Sequence, residues 1–424
     1  MKHLHCDVLV IGSGPAGLAA AYQARQSGAQ DVWILERNEE LGGILTQCIH
    51  NGFGVRIFDS DLTGPEYASR WIRRVAEVGV PSLTETMVLE IGRNLSILAT
   101  NSQWGLFTVQ PKALILAMGC RERPRGALAI PGTRPAGIYT AGTAQRLVNI
   151  EGYMPGERFV ILGSGDIGMI MARRLTLEGA RVEAMAEILP YISGLRRNLV
   201  QCVRDFDIPL YLRTTVIEIR GRDRVESVLL SQVNEHWQPI PGTAWEVPCD
   251  TLLLSVGLIP ENELSRLAGI PLDPVTNGPY VDECLATDVP GIFAAGNVVH
   301  VYDLVDDVTE SALRAGHFAA RYAQGYPLPS GRLLPVRAGE NVHHVVPQRI
   351  HPSALAEESI ELQLRVRHPV EKAVHLQITT ASGAVLLSKR LRYVRPSEMI
   401  TITLSSELAN ELEAAQEIRV HIAP

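Results

Sequence analysis

Apolar residues follow two patterns along this chain. Up to about residue 325 they come in short unbroken runs, among them Val8-Leu9-Val10-Ile11, Ala113-Leu114-Ile115-Leu116, Phe159-Val160-Ile161-Leu162 and Leu252-Leu253-Leu254. Runs of this length without alternation predict strands buried on both faces, as in a parallel sheet. Helical spacing follows two of them, over Leu18–Gln26 and Met169–Glu178, and second strands are predicted at Asp31–Leu35 and Arg181–Ala186. A further helix is predicted over Thr309–Gln324, with Thr309 as N-cap and Ala312, Leu313, Phe318 and Ala319 on its apolar face. Thr63 and Glu66 stand at capping-box spacing. From Tyr326 the character changes. Pro327, Pro329, Gly331 and Pro335 predict a linker, and beyond it apolar residues alternate with polar ones: Ile360, Leu362, Leu364, Val366; Val374, Leu376, Ile378; Ile400, Ile402, Leu404; Ile418, Val420, Ile422. With Ser382-Gly383 as a hairpin turn, this predicts about five strands in a small antiparallel β-sandwich.

The segment joining each first strand to its helix carries the chemistry. Gly12-Ser13-Gly14-Pro15-Ala16-Gly17 follows the first run, and Gly163-Ser164-Gly165-Asp166-Ile167-Gly168 follows the run at 159–162. In such a motif the first glycine makes the turn, the second lets backbone approach a pyrophosphate, and the third lets helix pack on strand. The free N–H groups of the helix start then hold the phosphates. Glu36 lies 19 residues past Gly17, and Glu187 lies 19 past Gly168, each where a carboxylate would accept hydrogen bonds from an adenosine ribose. One such motif is weak. Two in the same register predict two bound dinucleotides and a fold of two Rossmann-like α/β domains, the second inserted in the first, followed by the β-sandwich. The runs at 113–119 and 251–257 mark the crossings and end at Gly119 and Gly257. The expected boundaries are 1–118 and 249–328 for the first domain, 119–248 for the insert, 329–339 for the linker and 340–424 for the sandwich.

Composition narrows the partners. The chain has 424 residues, 46% hydrophobic and 20% charged, which suits a globular protein with large cores. A net charge of −7 and 5% aromatics argue against nucleic acid. The early apolar run is broken by Gly12, Gly14, Pro15 and Gly17, and no other run reaches spanning length, so a cytoplasmic protein without a membrane span is expected. The six cysteines, none closer to another than 35 residues, form neither a CxxC nor a metal-ligand pattern. No metal is expected. His343, His344 and His351 read as solvated loop histidines.

The two fingerprints, Leu41-Gly42-Gly43-Ile44 after the first, and the strand-ending Gly296-Asn297 together resemble the flavoproteins with two dinucleotide-binding domains, of the thioredoxin-reductase type. Gly119-Cys120-Arg121-Glu122-Arg123 and Gly137–Gln145 narrow the resemblance to those that accompany glycerol-3-phosphate-dehydrogenase-like or amino-acid-oxidising flavoproteins. It covers about residues 6–328. It implies FAD at the first fingerprint, through Gly12, Gly14, Pro15, Ala16, Gly17, Glu36, Arg37, Gly43, Ile44, Ala117, Gly119, Gly296 and Asn297. It implies NADH at the second, through Gly163, Gly165, Asp166, Ile167, Gly168, Glu187 and Gly257. The family has Asp where Asn297 stands, and an amide can still bond ribityl hydroxyls. NADPH fits less well, because Ile188 follows Glu187 where a phosphate-binding Arg would stand.

The family's redox cysteine pairs are missing, so a two-thiol relay is not expected. Cys48, with His50 two residues on, remains the candidate catalytic pair, against the reading that both line the cofactor cavity. His300, Asp303 and Asp306, beyond the Gly296-Asn297 turn, read as loop residues, against the alternative that they tune the flavin or a substrate. The implied activity is an FAD-dependent NAD(P)H oxidoreductase, passing a hydride between nicotinamide and flavin and exchanging electrons with a partner flavoprotein dehydrogenase subunit or another acceptor. The alternatives are a stand-alone NADH oxidase or quinone reductase, and a flavin-binding interaction scaffold.

Overall fold

The computed structural model describes residues 2–423. The chain forms two compact units, one made of the residues up to Cys120 and from Pro260 onward, the other of Arg121–Ile259.

In the first unit the strand Lys2–Ile11 lies at the centre of a parallel arrangement. Val32–Leu35 pairs with it on one side and Gly105–Leu116 on the other, with Ile11 opposite both Leu35 and Leu116. Ile292–Ala294 adds in parallel beyond Gly105–Leu116. Val8, Leu9 and Val10 are fully buried, as their unbroken apolar run requires. The helix Pro15–Gln26 covers this sheet with a run of alanines. Its small surface admits the helix Val305–Ala323 at close range: a Cβ on Gly316 would stand 2.2 Å from the Ala20 carbonyl oxygen.

That second helix begins earlier than expected. Leu304 is its N-cap, and Thr309 is interior, fully buried and bonded to the Tyr67 hydroxyl at 2.6 Å. Its acidic first turn, Asp306 and Asp307, folds as helix because Arg56 reaches both carboxylates, one through its backbone N–H and the other through its guanidinium. The Thr63–Glu66 capping box forms as its spacing predicts, opening the helix Gly64–Glu77.

The C-terminal part of this unit has a five-stranded and a three-stranded sheet sharing an apolar core that includes Val336, Leu362, Leu364, Leu376, Ile378, Ile402 and Val420. The alternating residues point inward as expected, and a hairpin at Gly383 joins Val374–Thr380 to Val385–Leu391. Two expectations change. Leu334–Ala338 is a strand, so the linker is shorter than 329–339, and it pairs in parallel with Ile418–Ala423, so the sheets are not purely antiparallel. Pro335 is accommodated because its neighbour Val336 supplies the donor, to Gln348 O at 2.8 Å.

The second unit has a parallel sheet ordered Ile138–Thr140, Thr251–Leu254, Arg158–Leu162, Arg181–Glu187, Leu210–Leu212, with the helix Asp166–Leu177 after the second fingerprint. Thr251–Leu254 pairs with Phe159–Leu162 and with Ile138–Thr140. It therefore belongs to the insert, which runs to residue 259 rather than 248. No helix among the described residues is long and apolar enough to cross a membrane.

Candidate functional site

The first fingerprint forms a cradle whose glycines do different work. Gly12 has φ +100°, and a Cβ there would lie 2.4 Å from Ala117 O; a Cβ on Gly17 would lie 1.8 Å from Gly12 O. Those two contacts seat the helix on the strand. At Gly14 a Cβ would meet nothing within 4 Å, so its bare face opens onto free space at the start of the helix. Gly14 caps Pro15–Gln26 without any side-chain hydrogen bond, and Pro15 sits in the first turn. The first-turn amides thus have no side-chain acceptor, the arrangement a phosphate completes. Gly43 closes one edge, with its bare face 2.9 Å from Gly14 Cα, and Gly296 closes another, packed between Ala16 and Val308.

Glu36 ends its strand buried at 5% exposure. Its Oε2 accepts the Ser13 amide at 2.9 Å and the Ser13 hydroxyl at 2.6 Å, and Oε1 accepts Asn38 N–H at 2.8 Å. Four lone-pair directions on a carboxylate leave room for a ribose hydroxyl. Among the remaining predicted contacts, Ala117 and Gly119 flank the strand end, while Arg37 and Ile44 are exposed beside the cradle. Asn297 holds its own loop: its carbonyl oxygen accepts Tyr302 N–H at 3.0 Å and its amide reaches Cys120 Sγ at 3.5 Å.

The second unit repeats this geometry. Glu187 Oε2 accepts the Ser164 amide at 2.9 Å and hydroxyl at 2.6 Å, matching the Ser13–Glu36 distances, and Oε1 accepts Leu189 N–H at 3.0 Å. Gly194 N–H bonds Ser164 O at 3.0 Å as Gly42 N–H bonds Ser13 O at 3.0 Å. Gly163 turns with φ +96° against Ser255 O, and Gly168 donates its amide to Ser255 Oγ at 3.1 Å. Asp166, at the helix start, accepts Leu195 N–H and the Asn198 amide, and Ile167 packs against the insert's core. Gly257 has φ +98° and open space where a Cβ would point. The copies differ in detail: a Cβ on Gly165 would stand 3.1 Å from Ser255 Oγ, where Gly14 faces open space. Glu187 Oε2 also accepts the Ser193 hydroxyl at 2.9 Å. Arg196 and Arg197 lie exposed shortly beyond it.

Sequence reasoning missed Ser13, Ser164 and Ser255. The signal for the first two was present: both fingerprints read Gly-Ser-Gly, and a hydroxyl two residues before the motif's helix start can reach the strand-ending acid.

Cys48 follows the short helix Gly43–Gln47, its thiol directed to Ile44 O at 3.3 Å. Burial pushes this thiol up to about 12, so it is a poor source of thiolate at neutral pH. His50 packs against Phe53 in a tilted arrangement, ring centroids 5.1 Å apart. These positions suit a lining role.

Several residues read as loop positions, two of them as solvated histidines, are buried. His300 and His344 are 1% and 8% exposed, their rings 5.6 Å apart, and desolvation holds them neutral, down to about 3 and about 2. His351 is buried against Glu283, which accepts from both its backbone N–H and its ring. Asp303 pairs with Arg365, and Asp306 is 4% exposed. All are covered by the C-terminal sheets or by the helix start. Sequence could not show that packing.

The chain matches the pyridine nucleotide-disulphide oxidoreductase family over residues 6–316. It is 28% identical over 327 residues to an opine oxidase subunit of Agrobacterium tumefaciens (strain Ach5), covering 69% of this chain and 61% of that one. It is 26% identical over 300 residues to the ferredoxin–NAD(+) reductase component of the benzene 1,2-dioxygenase system of Pseudomonas putida, covering 69% and 66%. The chain thus spans about 60% to two thirds of the length of these curated relatives. The solved thioredoxin reductase of T. acidophilum shares the fold, with a TM-score of 0.61 at 21% identity, over 76% of this chain and 99% of that one. With a match across nearly three quarters of its length and both fingerprints built alike, the chain belongs to the pyridine nucleotide-disulphide oxidoreductase family.

Proposed function

We propose that the protein is an FAD-dependent NAD(P)H oxidoreductase that hands electrons on to a separate acceptor. The observation that carries this reading is the duplicated serine–glutamate geometry: two Gly-Ser-Gly turns before a helix start, each with its serine hydroxyl holding a strand-ending acid. The donor set suits a dinucleotide at each, with phosphate at the helix start and ribose at the acid. Bound at the first cradle, FAD would supply a two-electron acceptor for a nicotinamide hydride. The chain's residues then hold, align and exclude water, since that transfer needs no protein acid or base.

The acceptor is external. Cys48 lacks a partner cysteine at relay spacing and is held as a thiol, so electrons leave without a dithiol step. The opine oxidase relative is by its name one subunit of an oxidase, which favours a partner flavoprotein dehydrogenase subunit over stand-alone oxidase activity. Glu187 favours NADH, because a carboxylate accepts from both ribose hydroxyls and repels a 2′-phosphate. The cytoplasm, with its NADH pool and its reducing poise for six thiols, is the compartment this reading implies.

The test is anaerobic. The purified protein should be yellow, release FAD on heating, and bleach with one two-electron equivalent of NADH per flavin. A spectrum unmoved by NADH would favour the scaffold, and a protein that takes up no FAD removes the reading altogether.

A further inference from the structure

We propose that the recess between the long helix Val305–Ala323 and the strand Ile360–Val366 binds an amino alcohol, an organic ammonium that carries its own neutral oxygen. The recess lies within the unit that holds the first cradle. Its volume of about 250 Å³ is below the ~300–1,000 Å³ usual for drug-sized ligands, so it suits a small compound. Its walls are acidic. Asp282, Glu283, Glu310, Glu358 and Glu361 line it against a single cation, Arg314. Arg314 is already committed, with two nitrogens on Glu358 at 3.1 and 2.6 Å and its Nε on the Glu283 carbonyl. Glu283 meets the His351 ring at 3.0 Å, and Glu310 meets Arg56 at 3.3 Å. Asp282 accepts the Cys284 and Ala286 N–H groups, and neither it nor Glu361 has an ion pair among the described residues.

Charge of one sign gathered in a recess focuses its field and draws a counter-ion. The carboxyls there already feel one another: burial raises Glu310, with the Glu361 charge adding to it, and burial beside Glu283 pushes Asp282 up to about 6. Three features say what kind of cation fits. Among the described residues no three of these carboxylates bring oxygens within 4.8 Å of one another, so the charge is spread along the recess rather than gathered round one metal ion. Gln363 lines the recess and is buried at 9% exposure. Its Oε1 meets His300 Nε2 at 3.3 Å, while its Nε2, still reached by solvent, has no hydrogen-bond partner among the described residues. An amide N–H unpaired on a buried side chain is costly, and it points to an acceptor that a ligand brings. That acceptor must be neutral, because a further carboxylate would be repelled by Glu310 and Glu361. Leu285, Val346 and Pro347 line the remaining wall, which suits a short carbon chain joining the two polar ends.

Compounds of one chain length test this: 5-amino-1-pentanol, 1-aminopentane, 5-aminopentanoate and 1,5-pentanediol. Each is titrated into the purified protein in amine-free phosphate buffer and followed by ligand-observed NMR. The amino alcohol should bind, and the amine without an acceptor should bind about two- to tenfold more weakly, the loss expected for one hydrogen bond. 5-Aminopentanoate should bind no better than the amine, and the diol should not bind measurably. Glu361 is exposed, so Glu361→Gln should fold as wild type does, and it should weaken the amino alcohol and the amine by a similar factor. Gln363→Leu should bring those two compounds to one affinity. The proposal is overturned by an amino alcohol that shows no saturable binding, that binds no better than the amine or the diol, or that binds Glu361→Gln and wild type equally. The decisive comparison uses the unaltered chain, so a Gln363→Leu protein that fails to fold does not remove the test. None of these titrations reads flavin reduction, and the FAD reading stands or falls separately.

Discussion

The fingerprint glycines separate a cofactor contact from a packing contact, and Gly14 and Gly17 form the cleanest pair. Gly14 has φ −66° and ψ −175°, an ordinary extended conformation, and a side chain there meets no protein atom within 4 Å. Gly14→Ala should therefore leave the apo fold intact. Loss of glycine's freedom in the unfolded chain would even stabilise it, by about 0.4–1 kcal/mol. The methyl group would occupy the space a pyrophosphate needs and block one or two charge-assisted hydrogen bonds worth about 1.5–3 kcal/mol each. FAD affinity should fall at least about tenfold, and about a hundredfold or more if two bonds are lost. Gly17→Ala is the contrast. Its methyl carbon would sit 1.8 Å from Gly12 O, a backbone atom with no room to retreat. The helix must lift from the sheet, at a cost of roughly 1–3 kcal/mol or more. Thermal unfolding of the apo-proteins and FAD titration by flavin fluorescence separate the two. Gly14→Ala should melt at or slightly above wild type and bind poorly; Gly17→Ala should melt lower. If Gly14→Ala melts with Gly17→Ala, or binds FAD like wild type, the division of labour among the glycines is wrong.

Other consequences follow from the same geometry. Wild-type kcat/KM should favour NADH over NADPH by about ten- to a hundredfold, and Glu187→Gln should narrow the gap; equal use by the wild type would show that Glu187 does not read the ribose. Glutamine is the better probe because alanine would strand the Ser164 and Ser193 donors. His351 has its pKa raised by the Glu283 hydrogen bond and charge, so its ion pair contributes fully below the ordinary imidazole value near 6.5 and fades as pH rises through the raised value. The melting gap between wild type and His351→Gln should shrink as pH rises past the ordinary imidazole value, and a gap that widens would reverse the assignment. Cys48→Ser should leave flavin reduction and acceptor turnover unchanged, whereas lost acceptor turnover with normal reduction would give the thiol a role.

The parts of this protein legible in its sequence are those set by local rules. Unbroken apolar runs placed the central strands, and the glycine spacing placed both cradles, because each depends on residues within about thirty positions of one another. The first-turn start at Val305 was not legible. It depends on Arg56, some 250 positions away, reaching Asp306 and Asp307. The insert's boundary was misplaced for the same reason, since Leu252-Leu253-Leu254 would suit either sheet and only its pairing with Phe159–Leu162 decides between them. The buried histidines follow the pattern too. Nothing local distinguishes His344 or His351 from a solvated histidine; a facing carboxylate or a neighbouring ring does.

Those long-range contacts also explain why the C-terminal sheets belong to the compact unit that contains the first cradle. Most of their apolar core is their own, although Val346 and Met399 join the core of the first cradle's sheet. Their polar groups bond to the flanks of the Gly296-Asn297 loop. Arg365 pairs with Asp303 and donates to Val301 O at 3.0 Å, Met399 N–H donates to Asp303 Oδ2 at 2.7 Å, and Gln363 meets His300 at 3.3 Å. Gln348 bonds both Val281 N–H and Asp273, and Arg314 on the long helix pairs with Glu358 at 2.6 Å. Arg365 and Asp303 are largely buried, so each leaves an uncompensated charge if the other is withdrawn. Such contacts do not suit a freely tethered module. They fix the loop from Asn297 to Leu304 and, through it, the start of the long helix Val305–Ala323. The C-terminal sheets thus hold the loop that follows Gly296, the glycine packed against Ala16 at the cradle's edge.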